Sequence, residues 1–212
     1  MEEDLRNDLR QQGWVVLGGL LDCDTLERAA AEARQLLGPA VEGSCPPSFD
    51  PDRWQAGQVE MSFPFDSKAA PTLNHLSISP VLLEAAGRLM CGGMGTTTVR
   101  LVEAILQPLR GEAAATTGAG DASAAEPPWS SHDTSQLVSC CAADGQPDAI
   151  SMVVPLVDTE GTDAGLSVLA KPDACGDKTI ALHPQLGSAV CLQLDTRYRD
   201  LPVRTGMWRI LR

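Results

Sequence analysis

Only three histidines occur in 212 residues, His75, His132 and His183, and that scarcity limits any metal chemistry built on imidazole. Lysine is equally rare, at Lys68, Lys171 and Lys178, and 28 acids against 16 bases leave a net charge of -12. So acidic a chain excludes a nucleic-acid backbone or an anionic membrane as its main partner. No apolar run approaches the roughly 20 residues of a membrane span. The opening Met1-Glu2-Glu3-Asp4 lacks the basic-then-apolar order of a secretory signal. The seven cysteines form no C-x-x-C and include the adjacent pair Cys140-Cys141, which is no disulfide framework. Each reads as a small hydrophobe in a reduced, intracellular and cytoplasmic protein.

What is present is an ordered series of elements. Residues 3 to 11 are expected to be helical, and Trp14-Val15-Val16-Leu17 forms a short apolar strand closed by Gly18-Gly19. Asp24, with Glu27 three residues on, is placed to cap a second helix. Its apolar face is Leu26, Ala29, Ala30, Ala33, Leu36 and Leu37, and Gly38-Pro39 is its expected stop. Residues 40 to 58 are proline-rich and irregular. Ser79-Pro80 starts another helix, running to about Met90.

The second half reads as strands, at Val99 to Gln107, Gln136 to Cys141, Ile150 to Val157, Leu166 to Leu169, Thr179 to Leu182, Ala189 to Leu194 and Met207 to Leu211. Ile150, Met152, Val154 and Leu156 share one face of theirs, as do Val190, Leu192 and Leu194, the period-two pattern of half-buried strands. Residues 111 to 128, rich in Ala, Gly, Thr and Ser, read as a flexible insertion. Many short strands behind N-terminal helices predict a mainly β protein, a double-stranded β-helix of jelly-roll, cupin-like type.

Several segments resemble the phytanoyl-CoA dioxygenase-like family. Gly13 to Leu17 is similar to its "dGyvvl" opening, and Leu156-Val157-Asp158 with Gly165 to Leu169 to its "l-x-D... nG-l-x-v-i-p" segment. Gly187 to Leu192 resembles "G-D-a-v-l-f". Tyr198 to Arg209 resembles a terminal H-R-G-x-P-V-x-x-G-x-x-R block, with Tyr198 at the histidine and Arg209 at the closing arginine, 11 residues on. The resemblance covers nearly the whole chain and implies a single domain over 1-212, helical over 1-95 and jelly roll over 96-212. It implies a non-haem Fe(II) and 2-oxoglutarate dependent dioxygenase that hydroxylates a small or lipid-like substrate. There 2-oxoglutarate chelates the iron, O2 converts it to succinate and CO2, and a ferryl abstracts hydrogen.

Such a site needs two imidazoles and a carboxylate on one face of the metal. Trp129-Ser130-Ser131-His132-Asp133-Thr134-Ser135-Gln136-Leu137 is similar to the family's "W-H-x-D-x-x-Q-L", one residue out of register. Aligning Asp133 puts Ser131 at the histidine position; aligning His132 puts Thr134 at the carboxylate. A β-bulge would bring His132 and Asp133 to the metal together. Tyr198 is an oxygen ligand, a catalytic group or an aromatic filling the vacated pocket. The resemblance implies that Arg209 is the carboxylate clamp, which a guanidinium performs with two parallel hydrogen bonds; the alternative is an ordinary surface ion-pair residue. His75 and His183 fall outside any ligand position. Two functions stay open: the oxygenase, and a metal-free pseudoenzyme, ligand-binding protein, isomerase or cyclase reusing the pocket.

Overall fold

The computed structural model describes residues 2-41, 61-91, 104-109, 149-156, 165-169, 178-194, 196-200 and 207-211. Helix α1 (Glu2–Gln12) leads through Gly13 into β1 (Trp14–Leu17) and then α2 (Cys23–Val41). β2 (Met61–Ser62), α3 (Pro71–Ser77) and α4 (Pro80–Cys91) complete the helical half. The strands β3 (Ile105–Leu109), β4 (Ile150–Pro155), β5 (Leu166–Leu169), β6 (Thr179–Leu182), β7 (Ala189–Gln193), β8 (Tyr198–Asp200) and β9 (Met207–Leu211) follow. They pair antiparallel into a six-stranded sheet ordered β1-β7-β4-β9-β3-β2 and a three-stranded sheet ordered β6-β5-β8.

The six-stranded sheet is apolar on both faces. Met152, Val154, Ala189, Cys191, Val15 and Leu106 bury against the helices through Leu9, Leu26, Ala33, Leu37, Leu73 and Leu89. Val153, Val190 and Leu192 point the other way and meet Leu166, Val168, Leu182 and Tyr198 of the smaller sheet. Ile150, Met152, Val154 and Leu156 do share the helix-facing side, and Val190 with Leu192 the other. The expectation of half-buried strands is corrected, because every residue of β4 from Ser151 to Pro155 is buried. A sheet covered by helices on one side and strands on the other has no wet face.

Several local expectations are also corrected. Asp22, not Asp24, caps α2: the Thr25 backbone N–H and hydroxyl both donate to Asp22 Oδ2, each at 2.9 Å. Asp24 already lies in the first turn. The same helix runs past Gly38-Pro39 to Val41. Proline removes one intrahelical bond, and buried Leu36 and Leu37 hold the turn before it. The short helix α3, for which no element was expected, is tied at its start from a distance: Glu32 of α2 accepts the N–H groups of Thr72 and Leu73 at 3.0 and 2.9 Å. β3 extends beyond Gln107 to Leu109. The expected strand Gln136 to Cys141, the insertion at 111-128 and most of the irregular 40-58 region lie outside the described residues.

The Asp22 cap gives a pH-dependent stability. Hydrogen bonds from the Thr25 hydroxyl, then its amide, hold the carboxyl below its usual range. The contribution is therefore complete above the unfolded carboxylate value of about 3.9 and is lost as pH falls through the lower folded value. Asp22→Asn is expected to flatten the fall of stability below about pH 4, read from urea midpoints across the acid range. A slope equal to wild type would remove Asp22 as a contributor. Cys191, buried in β7, has its thiol pushed up to about 12 by burial and stays protonated at neutral pH.

Candidate functional site

Gly13 fixes the geometry of the link from β7 to β8. Its carbonyl accepts the Gln193 N–H at 2.8 Å and the buried Thr196 hydroxyl at 2.7 Å. Within the link, the Thr196 N–H reaches the Gln193 carbonyl at 3.0 Å, and the Leu169 N–H reaches the Arg197 carbonyl at 2.8 Å. At the other end of β7, the Gly187 carbonyl accepts the N–H groups of Leu20 and Leu21 at 2.8 and 3.0 Å. Gly187 has φ of 90°, and a Cβ there would stand 2.9 Å from the Leu21 carbonyl. The helix-to-β1 entry and the β7-to-β8 crossing are thus pinned to each other.

This link delivers Tyr198 to the first position of β8, opposite Val168. Tyr198 is only 6% exposed and packs among Val153, Leu166, Val168, Leu182, Val190 and Leu192 between the two sheets. Arg209 is opposite Gln107 of β3 and Pro155 of β4. His132 and Asp133 lie outside the described residues.

The imidazole inventory can be tested against an iron site of the two-histidine type. His75 is exposed on α3, which packs against α2 on the helical side of the large sheet. His183 is exposed just after β6, and its Nδ1 would lie 3.1 Å from a Cβ on Gly165. Gly165 precedes β5 at the end away from Val168, the partner of Tyr198. Three residues of strand separate Gly165 from Val168, about 10 Å. The two described imidazoles, His75 and His183, thus do not come together beside Tyr198. Among the described residues no group of three His, Cys, Asp or Glu is placed to hold a metal ion.

Sequence reasoning missed Ser151 and Trp14. Ser151 is fully buried, and its hydroxyl and the Trp14 indole N–H are buried without a hydrogen-bond partner among the described residues. A polar residue inside the apolar run Ile150 to Pro155 was the available signal for the first. Trp14, inside a strand of Val and Leu, gave none.

No family model matches the chain, and no curated protein matches it. Solved structures do. The non-heme alpha ketoglutarate dependent carbocyclase SnoK from nogalamycin biosynthesis superposes with a TM-score of 0.66 at 13% identity, over 100% of this chain and 82% of that one. EctD from S. alaskensis, with 2-oxoglutarate and 5-hydroxyectoine, gives 0.62 at 15% identity, over 97% of this chain and 73% of that one. A Pseudomonas putida prolyl-4-hydroxylase gives 0.58 at 15% identity, over 100% and 96%. At these identities the likeness is one of architecture, and this chain shares the fold of 2-oxoglutarate dependent, non-haem enzymes.

Proposed function

We propose that this chain is a diverged non-haem Fe(II) and 2-oxoglutarate dependent dioxygenase-like protein of the phytanoyl-CoA dioxygenase-like kind, taking a small or lipid-like molecule between its two sheets. Supporting this are the shared fold and the pairing of Arg209 with Gln107 and Pro155 inside the large sheet. A guanidinium there would hold the carboxylate of a 2-oxo acid through paired charge-assisted hydrogen bonds.

One observation shapes the chemistry: the aromatic Tyr198, packed among Val and Leu side chains, occupies the position where the resemblance expects an imidazole. With at most one histidine at hand, no oxidative step is assigned. The pocket's proposed work is to bind an organic acid or an apolar molecule, or to isomerise or cyclise it without iron. The second reading, a working oxygenase, would use His132, Asp133 and Tyr198 as ligands.

Calorimetric titration of Mn(II) or Fe(II) with 2-oxoglutarate present separates the two. Loss of supporting contacts alone typically weakens a metal site about 10- to 100-fold, so loss of a direct imidazole ligand is expected to weaken it further and leave no stoichiometric micromolar binding. The double change Ser131→His with Tyr198→His is expected to create such binding. Tight, stoichiometric uptake by the unaltered protein, abolished by His132→Ala or Asp133→Ala, would establish the oxygenase instead.

A further inference from the structure

β8 is a strand of three residues, Tyr198–Asp200, and so short a strand does little by itself to fix where along β5 it lies. Its alternation decides the face: Tyr198 packs into the apolar cluster between the sheets, while Arg197 before it is exposed. A slip of one residue would turn an arginine toward that cluster, at a high desolvation cost. A slip of two residues keeps the face and moves the ring about 7 Å along β5. In the observed register Tyr198 is opposite Val168 and Asp200 is opposite Leu166. With Tyr198 moved opposite Leu166, Thr196 would itself stand opposite Val168, inside the ladder of the smaller sheet.

Thr196 is held elsewhere. Its buried hydroxyl donates to the Gly13 carbonyl at 2.7 Å, and the same carbonyl accepts the Gln193 N–H at 2.8 Å. Gly13 is the entry into β1 of the large sheet. We infer that Thr196 is the positioning residue of Tyr198: its hydroxyl selects the register of β8 and so the place along β5 at which the ring stands between the sheets. Chain length gives this tie its hold. Two residues separate Thr196 from Tyr198, a reach of about 7 Å at full extension, whereas five separate Gln193 from it, a reach of about 17 Å. The slipped register requires Thr196 to leave Gly13, and the Gln193 bond alone leaves enough slack for that. This inference rests on the reading that residue 198 lies at the binding site, and it names the side chain that places it there.

The test uses the whole chain. Tyr198 is its one tyrosine, so isotope-labelled tyrosine gives a single NMR reporter, with cross-strand contacts to Val168 expected in the wild type. Thr196→Val keeps the shape and removes the donor; it is expected to add a second set of tyrosine signals in contact with Leu166. Thr196→Ser is expected to keep the single wild-type set, and Thr196→Ala repeats the loss with less bulk. A folded Val or Ala variant with one set of signals still on Val168 would overturn the inference, as would a Ser variant that behaves like the Val variant. Failure of both the Val and Ala variants to fold beside a folded Ser variant would overturn it too, because the hydroxyl would then hold the whole fold and not the register of one strand. Mn(II) titration of the Ser131→His, Tyr198→His double variant reports on the site separately. There Thr196→Val is expected to weaken binding about 10- to 100-fold, the usual loss for a group that supports a ligand, and an unchanged affinity would overturn the inference. No metal binding by the double variant itself would count against the reading of position 198, with the register result still decided by the tyrosine signals.

Discussion

Replacing Gly165 with alanine is expected to lower the melting temperature by roughly 6 to 12 °C, from a cost of about 3 kcal/mol in a chain of this size. A Cβ built there would stand 2.2 Å from the Leu182 carbonyl oxygen, which is backbone and has no rotamer to change. The glycine also has φ of 157°, a value L side chains rarely adopt. Relief requires β5 and β6 to part at the Leu166 and Leu182 pair, and β5 is the strand that carries β8 and Tyr198. Ligand binding between the sheets should weaken together with stability. Gly18→Ala, where a Cβ would meet nothing within 4 Å, is the control and should stay within about 0.5 kcal/mol of wild type. Equal melting of the two variants would contradict the close approach.

Leu192→Ala carries the other large effect, about 3 kcal/mol read from the denaturant midpoint. Leu192 is fully buried in the β7 row between Trp14 and Ser151 and faces the smaller sheet. Truncation removes packing atoms from both sheets at once and leaves a cavity whose lining relaxes only in part. The partly buried Ile180→Ala, at the edge of the same cluster, should cost less. A loss below about 1 kcal/mol for Leu192→Ala, under the usual range for such truncations, would mean that the two sheets do not pack face to face.

Strands that bury apolar side chains on alternate positions were legible: β4, β5, β6 and β7 start where Val, Ile and Leu recur between turn residues, and α1 and β1 were read within a residue or two. Hidden from the sequence were elements held by distant partners. α3 has only seven residues and no long apolar period, and its first amides rest on Glu32, more than a third of the helical half away. β8 reads Tyr-Arg-Asp and becomes a strand because Leu166, Ser167 and Val168 offer an edge. Asp24 looked like the cap because it stands beside the apolar face, while the true cap has to lie outside the helix, three residues before the amide it receives.

Tyr198 and Arg209 were legible as a pair only through the terminal block that carries them. The fold adds that the first is buried between the sheets and that the second is paired within the large sheet, opposite Gln107 and Pro155. Composition alone could not place the histidines; their separation from Tyr198 follows from α3 and from the end of β5 on which His183 falls. Ser151 and Trp14 were invisible for another reason. An unmet hydrogen bond is a property of surroundings, which no local pattern records.

The Gly13 carbonyl, joined to Thr196 across 183 residues, has a consequence for how the molecule comes into being on the ribosome. Among the described residues β1 has a single strand neighbour, β7, so until β7 is made it is an apolar segment without that pairing. Long-range closures of this kind are slow and leave strand edges exposed while they wait. The nascent chain would therefore emerge with its N-terminal helices formed early and its sheet unsealed until the last fifth is available, a long interval in which a holding chaperone would find Trp14 to Leu17 uncovered.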